Sequence, residues 1–430
     1  MAGKSSRCAI VAEARSARLP DPAWMLDNDE PFLKRRDRLP EPAQAPKSIS
    51  AWELIKEFVG KDLAKVTDLS LPVPLCEPVT DMQRRGDFLE YAELLHDAAE
   101  LPRGSLERLL KVTAFSVSIY SCVYRPFAPC RSPKGETFEI VAPDKGIRCI
   151  GEKCGECPGV NAFLCEGRGW VLSCDEMNKM EFRGQYANIR PTGLIRIDFH
   201  DGEEFRWNPL VTTVQHIILG THYLDHNGTL HIQSSAASHA SRIRFKEPFI
   251  AFTSKQVHQV KGHIEAGGQK QEHPVLHGKW DDALWATFSG GSEQLLWRKN
   301  PPHEHPSRWG FSRWALSLND MPEGLQRILP PSDMRQRGDV RLLEQGQYDA
   351  AEAERKRLLK RVANARAAAT RPHEPRWFQL HPEVNFGEGR RYTYKGGYFE
   401  ARARVKSGTG HWEACPDLFG PGEDGAGVYP

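Results

Sequence analysis

The sequence has 430 residues, 40% of them hydrophobic and 27% charged, a balance typical of a globular protein with one large domain or two or three average ones. A formal net charge of +2 gives no reason to expect a nucleic-acid partner, and the longest apolar runs stop well short of the ~20 residues that span a bilayer. The N-terminus lacks the apolar core of a secretory signal. We therefore expect a cytoplasmic protein whose thiols stay reduced and which touches membranes only from the surface.

The first part of the chain predicts an extension followed by helices. Residues 1–47 are rich in Arg, Asp and Pro and lack a hydrophobic period, which predicts a disordered extension. From Ser48, apolar residues recur every three or four positions in WELIKEFVGKDLAKV, which predicts an amphipathic helix. Two further helical segments, DFLEYAELLHDAAE and LERLLKVTAFSVSIYS, are separated at Pro102-Arg103-Gly104.

From about Thr137 the hydrophobic period changes to two, which indicates β-strands. Hydrophobic and polar residues alternate strictly in GLIRIDF, and Asp201-Gly202 after it predicts a turn. The Asn227-Gly228 pair in THYLDHNGTLHIQ predicts a β-hairpin. We expect an antiparallel meander of many strands, long enough to curl or close into a barrel.

Four of the ten cysteines, Cys149, Cys154, Cys157 and Cys165, fall within CIGEKCGECPGVNAFLC. The first three are spaced C-x4-C-x2-C, as in some iron–sulfur proteins, and C-x2-C is a common half-site for zinc. A closed site needs a further pair of ligands, and KGIRCIGEKC alternates like a strand instead of wrapping around an ion. We favour ordinary buried thiols and keep a cysteine-bound metal as the alternative.

Several segments, taken together and in order, resemble those of a known family. They include WELIKEFVGKDLAKV with LPVPLCEPVTDMQR, LLKVTAFSVSIY, RPFAP with GETFE, WNPLVTTVQHIILGTHYLDHNGTLHI, VKGHIEAGGQK, HGKWDDALWA and WGFSRWALSLNDMPEGLQRILP. On these blocks the sequence is identified as a member of the oxysterol-binding protein-related family, in a short form that consists of the ligand-binding domain. The resemblance runs from roughly Ser48 to the C-terminus.

The resemblance implies an α+β, mostly β fold: a curved, many-stranded antiparallel β-barrel around a lipid tunnel. It divides the chain into a lid (48–75), a helical region (76–122), a barrel core (123–290) and a mixed C-terminal subdomain (291–430). The amphipathic lid would close the tunnel with its apolar face toward the lipid, although such a helix can also pack as ordinary core. The candidate lid residues that contact lipid are Trp52, Ile55, Phe58 and Leu63.

The phosphoinositide headgroup site of the family is altered in this sequence. Its fingerprint E-x-x-S-H-H-P-P, whose histidines contact phosphate, is matched by EKCGECPG at residues 152–159. Glutamate repels phosphate and cysteine is a weak donor, so this change weakens the site. The K-P-F-N-P motif is matched by RPFAP, and a late helix has lost two of its three polar ligands. The seven headgroup positions are Arg125, Ala128, Glu156, Cys157, Arg355, Leu359 and Ala363, of which only the two arginines keep a strong donor.

The late helical segment YDAAEAERKRLLKRVANARAAA is strongly basic. Lys356, Arg357, Lys360 and Arg361 form a candidate docking site for an anionic membrane surface. The alternative is a solvated basic helix face without a partner.

The resemblance implies a non-enzymatic protein that binds a lipid, a sterol in the first place, and transfers it between membranes through a lidded tunnel. No nucleophile, base and orienting group form a recognisable catalytic set, and no cofactor is implied beyond the bound lipid. The expected partners are the lipid and, transiently, an anionic membrane surface such as that of an endoplasmic reticulum contact site. Three alternatives remain: a sterol/phosphatidylinositol 4-phosphate exchanger whose headgroup site still works, a lipid-responsive sensor or scaffold, and a cysteine-bound metal protein.

Overall fold

The fold was analysed in a computed structural model. It describes residues 19–27, 29–43, 72–122, 125, 127–156, 159–183, 185–216, 223–236, 238–246, 257–370, 373–385, 388, 389, 391–424 and 428. Most of the predicted lid, with Trp52, Ile55, Phe58 and Leu63, lies outside the described residues, and so does Cys157.

Helices cluster before and after a large sheet. Among the described residues, three α-helices come before most strands of this sheet: α1 (Gln83–Asp87), α2 (Glu93–Ala99) and α3 (Leu106–Cys122). Five follow it: α4 (Arg313–Leu318), α5 (Leu325–Ile328), α6 (Gly338–Glu344), α7 (Tyr348–Ala368) and α8 (Tyr398–Lys406). Within the described ranges, no helix is long and apolar enough to cross a bilayer.

The strands form one large sheet and two small ones. The small sheets pair β1 (Cys76–Thr80) with β2 (Ala128–Cys130), and β16 (Phe378–Leu380) with β17 (Tyr392–Tyr394). The large sheet contains β3 (Thr137–Ala142), β4 (Ile147–Glu156), β5 (Gly159–Gly167), β6 (Trp170–Phe182), β7 (Ala187–Phe199), β8 (Glu204–Trp207), β9 (Val211–Gln215), β10 (Tyr223–Ser234), β11 (His239–Phe245), β12 (Gln259–Ala266), β13 (Gln269–Lys279), β14 (Ala283–Thr287) and β15 (Glu293–Arg298).

The large sheet is an antiparallel meander of 13 strands, as the period-two patterns predicted. Its order follows the chain from β3 to β15, except that β8 and β9 both lie between β7 and β10. The predicted strand GLIRIDF is the second half of β7, and Asp201-Gly202 forms the predicted turn before β8. The mostly β, antiparallel fold is therefore confirmed.

Helix α3 lies inside the curve of this sheet. Fourteen of its seventeen residues are buried, and from Val112 onward no residue faces solvent. It packs against β10, β11 and β15, and since β11 and β15 are four strands apart in the order, the sheet must curve around the helix. The hydroxyls of Ser116, Ser118 and Ser121 donate to carbonyls three residues earlier, which satisfies polar groups that the apolar interior would otherwise leave unpaired.

The hairpin predicted at Asn227-Gly228 is wrong. Both residues lie inside the continuous strand β10, which changes neighbour at this point: Asn227 pairs with Val211 of β9, and Gly228 pairs with Phe245 of β11. The φ of Gly228 is +125°, a conformation that favours glycine, so the residue bends the strand between its two partners. The same dipeptide that makes a tight turn in a hairpin here makes a bend within a strand.

The predicted disordered extension is wrong for residues 19–27 and 29–43, which we call the N-terminal strap. Phe32 is 2% exposed and packs in the main hydrophobic core, with its ring 6.3 Å from that of Trp314. Glu30 is buried and accepts two hydrogen bonds from Arg402 of α8, at 3.0 and 2.9 Å. Composition suggested disorder because the strap contains many charges, but several of these charges are paired with the body of the protein, as Arg35 is with Asp144.

The C-terminal region forms a second hydrophobic cluster against the outer face of the first strands. Trp377 and Tyr398 pack with their rings 5.0 Å apart, and Tyr398 donates a hydrogen bond to Glu139 of β3 at 2.7 Å. The sheet extends to Arg298, slightly beyond the predicted end of the barrel core at residue 290. This second layer covers the part of the sheet that carries the fingerprint segment.

Candidate functional site

Arg125 follows α3 and is the buried centre of a charged cluster. Its guanidinium donates to Glu77 at 2.7 Å and to Asp87 at 2.5 Å, and also to the carbonyl of Cys122 at 2.9 Å. Arg84 binds the other carboxylate oxygen of Glu77 at 2.7 Å. Two guanidinium groups thus face two carboxylates inside the protein, and Arg125 is 3% exposed.

The electrostatics of this cluster follow from its burial. Burial by itself would raise the pKa of Glu77, but the charges of Arg125 and Arg84 lower that pKa overall. Asp87 is less well compensated, and its burial raises its pKa to about 6. Since Arg125 is already paired, a phosphate group would have to compete with two carboxylates for its charge.

Ala128, the second predicted headgroup position, opens β2 and lies opposite Cys76 of β1. It is half-buried, and its side chain is a methyl group without a hydrogen-bonding atom. The carbonyl of the preceding Phe127 accepts a hydrogen bond from Arg84 at 2.6 Å. The β1–β2 pair and Arg84 therefore hold this segment close to the Arg125 cluster, but the segment offers a phosphate no side-chain donor at Ala128.

Glu152, the first residue of the fingerprint segment, is hydrogen-bonded to the backbone of the C-terminal region. Its two carboxylate oxygens accept hydrogen bonds from the backbone N–H groups of Arg376 and Trp377, at 2.7 and 2.8 Å. Burial raises the pKa of Glu152 to about 7 even though both hydrogen bonds favour its charged form. This residue therefore joins β4 to the C-terminal region.

Lys153, the next charged residue of the segment, forms an ion pair within the protein. Lys153 is 4% exposed and binds Asp81 at 2.7 Å. The charge of Lys153 lowers the pKa of Asp81 despite its burial. Glu156 ends β4 opposite Gly159, and its side chain, like the following Cys157, is not described by the structure.

The cysteines of the segment are divided between two faces of the sheet. Cys149 of β4 and Cys165 of β5 are directly opposite each other and lie in the main core, whereas Cys154 lies in the C-terminal cluster. Burial raises the pKa of all three thiols, which keeps them protonated and poor as metal ligands. Among the described residues, no group of three or more His, Cys, Asp or Glu side chains could hold a metal ion.

The three headgroup positions on α7 share one face of that helix, because they are spaced by four residues. Arg355 is half-buried and binds Glu352 at 2.6 Å. Leu359 is 49% exposed and Ala363 is exposed. The face therefore presents apolar surface where the family pattern has polar ligands.

The four residues of the predicted basic docking site on α7 differ in exposure. Lys356 and Lys360 are exposed, with side-chain exposures of 72% and 61%. Arg357 and Arg361 instead hold the C-terminal segment by donating to carbonyls of residues 420–422, at distances from 2.6 to 3.0 Å. Arg361 is 2% exposed, so it is buried and does not belong to a docking surface.

Three polar atoms inside the sheet were not singled out by the sequence. The indole N–H groups of Trp207 and Trp297, and Nε2 of His226, are buried and make no hydrogen bond to any described residue. Leaving such a group unpaired costs about 1–3 kcal/mol. A single histidine or tryptophan in a strand forms no motif in the sequence, so its inward orientation can be recognised only once the register of the strands is known.

His226 shows most clearly what this interior offers a ligand. Its Nδ1 lies 3.0 Å from the hydroxyl of Thr212, and its ring packs 4.8 Å from the rings of both Tyr120 and Trp280. Burial lowers the pKa of His226 to about 3, so the imidazole is neutral at physiological pH. A neutral imidazole can donate or accept at Nε2, depending on its tautomer, which suits an uncharged hydroxyl.

A sheet that curves around a buried helix, with an apolar interior and a few buried polar atoms, offers surroundings that suit an apolar ligand. The family model of the oxysterol-binding protein matches residues 50–403. The chain belongs to the oxysterol-binding protein family, which confirms the sequence resemblance.

The chain is similar to plant members of the family. It is 38% identical to oxysterol-binding protein-related protein 2B of Arabidopsis thaliana, over 97% of this chain and 61% of that protein. It is 36% identical to oxysterol-binding protein-related protein 1B of the same plant, over 91% of this chain and 78% of that protein. The chain thus spans less than two thirds of the length of the first of these relatives.

Two crystal structures have the same fold. The Osh3 ORD of Saccharomyces cerevisiae, in complex with PI(4)P, superposes with a TM-score of 0.75 and 26% identity, over 90% of this chain and 99% of that chain. The Osh1 ORD domain, in complex with ergosterol, superposes with a TM-score of 0.76 and 27% identity, over 93% and 97%. Domains of this fold therefore bind both a phosphoinositide and a sterol.

Proposed function

We propose that this chain is a non-enzymatic sterol carrier that moves sterol between membranes and no longer binds a phosphoinositide headgroup. The observation that carries this proposal is the pairing of Arg125 with Glu77 and Asp87. A phosphate monoester brings a charge of about −1.5 to −2 and needs several strong donors. At the seven matched positions, the strong donors are the guanidinium groups of Arg125 and Arg355, and both are already paired with carboxylates of the chain.

The interior supports an apolar ligand that carries a single hydroxyl. Burying apolar surface stabilises a complex by about 25 cal/mol per Å², so a sterol is bound mainly by the hydrophobic effect. A hydroxyl both donates and accepts, so it suits an uncharged polar atom such as Nε2 of His226 or the indole N–H of Trp207. An acyl chain, which has no such group, could pair with neither.

Contact with an anionic membrane would use the exposed lysines of α7. Lys356 is paired with Glu352 and Lys360 with Glu423, so anionic headgroups would have to displace these carboxylates. The two lysines flank Leu359, which is 49% exposed, so this part of the helix combines cations with an apolar side chain. Such a combination suits the surface of an anionic bilayer. In this proposal the protein is cytoplasmic and peripheral to the membranes that it visits.

Native mass spectrometry after incubation with vesicles containing sterol and phosphatidylinositol 4-phosphate tests the proposal. We expect a mass shift of one sterol and no phosphoinositide adduct, followed by delivery of the sterol to acceptor vesicles. A phosphoinositide adduct would contradict the degraded site and favour an exchanger. Sterol that binds but is never delivered would favour a lipid-responsive sensor.

The variant Glu156→His/Cys157→His tests how far the site is degraded. It restores both fingerprint histidines, but Ala128, Leu359 and Ala363 remain without polar groups, so we expect little or no phosphoinositide binding. Full binding by this double variant would show that the loss of the two histidines alone inactivates the site. Sterol binding by the same variant is the control for its folding.

A further inference from the structure

The outward face of β11, β12 and β13 carries a concentration of cations. Strand register places nine side chains on it, three from each strand, because their neighbours along the strands, such as Ile243, Val260 and Leu276, are buried. At ordinary strand spacings the nine positions cover about 10 Å by about 14 Å. This basic sheet face consists of Arg242, Arg244 and Lys246 on β11, Gln259, Lys261 and His263 on β12, and Val275, His277 and Lys279 on β13.

Five of the nine residues are Lys or Arg, two are His, and none is acidic. The carboxylates that reach this face come from its margin. Glu265 binds Arg242 at 2.5 Å and lies 3.7 Å from His263, and Glu293 lies 3.3 Å from His277. Within the described part of the chain, the other four cations have no carboxylate partner.

The register brings two of these cations into direct opposition. Arg244 and Lys261 are cross-strand partners, and both are exposed. Like charges opposite each other destabilise a sheet, so this pair opposes folding unless an anion lies over it. The chain as a whole has 58 Lys and Arg against 56 Asp and Glu, so the cations gather here by placement and not because the protein has a general excess of them.

Apolar side chains continue the row of Arg244 and Lys261 toward the edge of the sheet. His277, the next residue in that row, is opposite Trp285 of β14, which in turn is opposite Leu295 of β15. Trp285 is half-exposed and Leu295 is 41% exposed. Tryptophan and aliphatic side chains beside cations fit the boundary between lipid headgroups and acyl chains. A nucleic acid or an acidic peptide would use the cations but would not need this apolar margin.

We propose that the basic sheet face and its apolar margin form a docking surface for an anionic lipid bilayer. It lies on the sheet and is separate from the lysines of α7. Counter-ion release and direct attraction to anionic headgroups relieve the repulsion between Arg244 and Lys261, while Trp285 and Leu295 lose water. The surface does not depend on which lipid the protein carries.

Vesicle co-sedimentation of the full chain tests this surface, with phosphatidylcholine vesicles that contain or lack phosphatidylserine and no sterol. We expect binding to the anionic vesicles alone, and weaker binding at high salt. The variant Arg244→Gln/Lys261→Gln should weaken binding by up to roughly 30-fold, since each surface cation contributes about fivefold. The matched control Arg313→Gln/Arg327→Gln removes two exposed cations from α4 and α5 and should bind as the unchanged protein does.

Three outcomes would overturn the proposal. The first is equal binding by Arg244→Gln/Lys261→Gln and the control. The second is loss of all binding in Lys356→Gln/Lys360→Gln, because the helix alone would then account for docking. The third is binding of polyglutamate but not of anionic vesicles, which would assign the face to an acidic protein.

The unfolding temperature of Arg244→Gln/Lys261→Gln should be no lower than that of the unchanged protein, because a repulsive pair has been removed. Since no sterol is present, failure here leaves the proposed carrier function untouched.

Discussion

Arg125 keeps a positive charge at a position that the family resemblance assigns to the headgroup, and our proposal is that it no longer binds phosphate. Its guanidinium is enclosed by Glu77 and Asp87, so the interaction that a phosphate would require is already made within the chain. The motif in the sequence retains a cation, but a motif does not reveal which side chains approach it from β1 and α1.

Replacement of Arg125 by methionine should destabilise the protein strongly. The change leaves Glu77 and Asp87 buried with much of their charge uncompensated, a situation that costs about 3–5 kcal/mol. Replacement of Arg327 by methionine is the matched control, because Arg327 is exposed on α5 and its loss should change stability by less than about 0.5 kcal/mol. Urea unfolding of both variants measures the difference. Equal unfolding midpoints would mean that the Arg125 cluster does not stabilise the fold.

Glu152 marks the limit of sequence-based prediction at the scale of single residues. The sequence placed it correctly in a strand, yet the contact that defines it is with backbone groups at residues 376 and 377. Because these partners are more than 200 positions away, the sequence of the segment contains no pattern from which the contact could be predicted. The lysines of α7 were predictable as a basic stretch, but the burial of Arg361 by the C-terminal segment was not.

At the scale of elements, strands with one buried face were predictable because their period is visible locally, as in β7. The bend in β10 was not, because Asn227-Gly228 specifies a reversal of the chain only when the flanking strands pair with each other. Here each half of β10 pairs with a different strand, and the sequence of the dipeptide carries no information about those partners.

The N-terminal strap provides a prediction at the same scale. Phe32→Ala should cost about 3–5 kcal/mol of unfolding free energy, since it removes a buried aromatic side chain from the main core. Leu26→Ala is the control from the same segment, because Leu26 is 69% exposed and its loss should change stability by less than about 0.5 kcal/mol. Guanidinium unfolding distinguishes them. A strap that is only loosely associated would make the two variants indistinguishable.

At the scale of the whole molecule, buried carboxyls set how stability depends on pH. Burial raises the pKa of Glu136 and Glu152 to about 7 and that of Asp87 to about 6. Between pH 5 and 7 the folded protein therefore holds protons that the unfolded chain has released, so stability falls as pH rises through this range. Asp81 and Glu77, whose pKa values are lowered, act oppositely and reduce stability only at more acidic pH. The buried His226, with its pKa of about 3, also acts oppositely, because the unfolded imidazole takes up a proton below about pH 6.5, but three carboxyls outweigh one imidazole.

We therefore expect the thermal unfolding temperature to be higher at pH 5.5 than at pH 7.5. Each such carboxyl contributes a slope of up to about 1.4 kcal/mol per pH unit where it titrates. Glu136→Gln should flatten this dependence, whereas Glu323→Gln, which changes an exposed residue, should leave it as it is. An unfolding temperature that rises between pH 5.5 and 7.5 would contradict the assignment.

The strap also bears on where this protein can be cut. The family model matches residues 50–403, and a fragment trimmed to those limits would seem a natural choice for expression. Such a fragment would lack Phe32 and Glu30. The loss of Phe32 would leave a cavity in the main core, and the loss of Glu30 would leave Arg402 with Glu139 as its remaining carboxylate partner. Because Glu30 of the strap is bonded to Arg402 of α8, the smallest piece that folds well is longer at its N-terminus than the region that the family model matches.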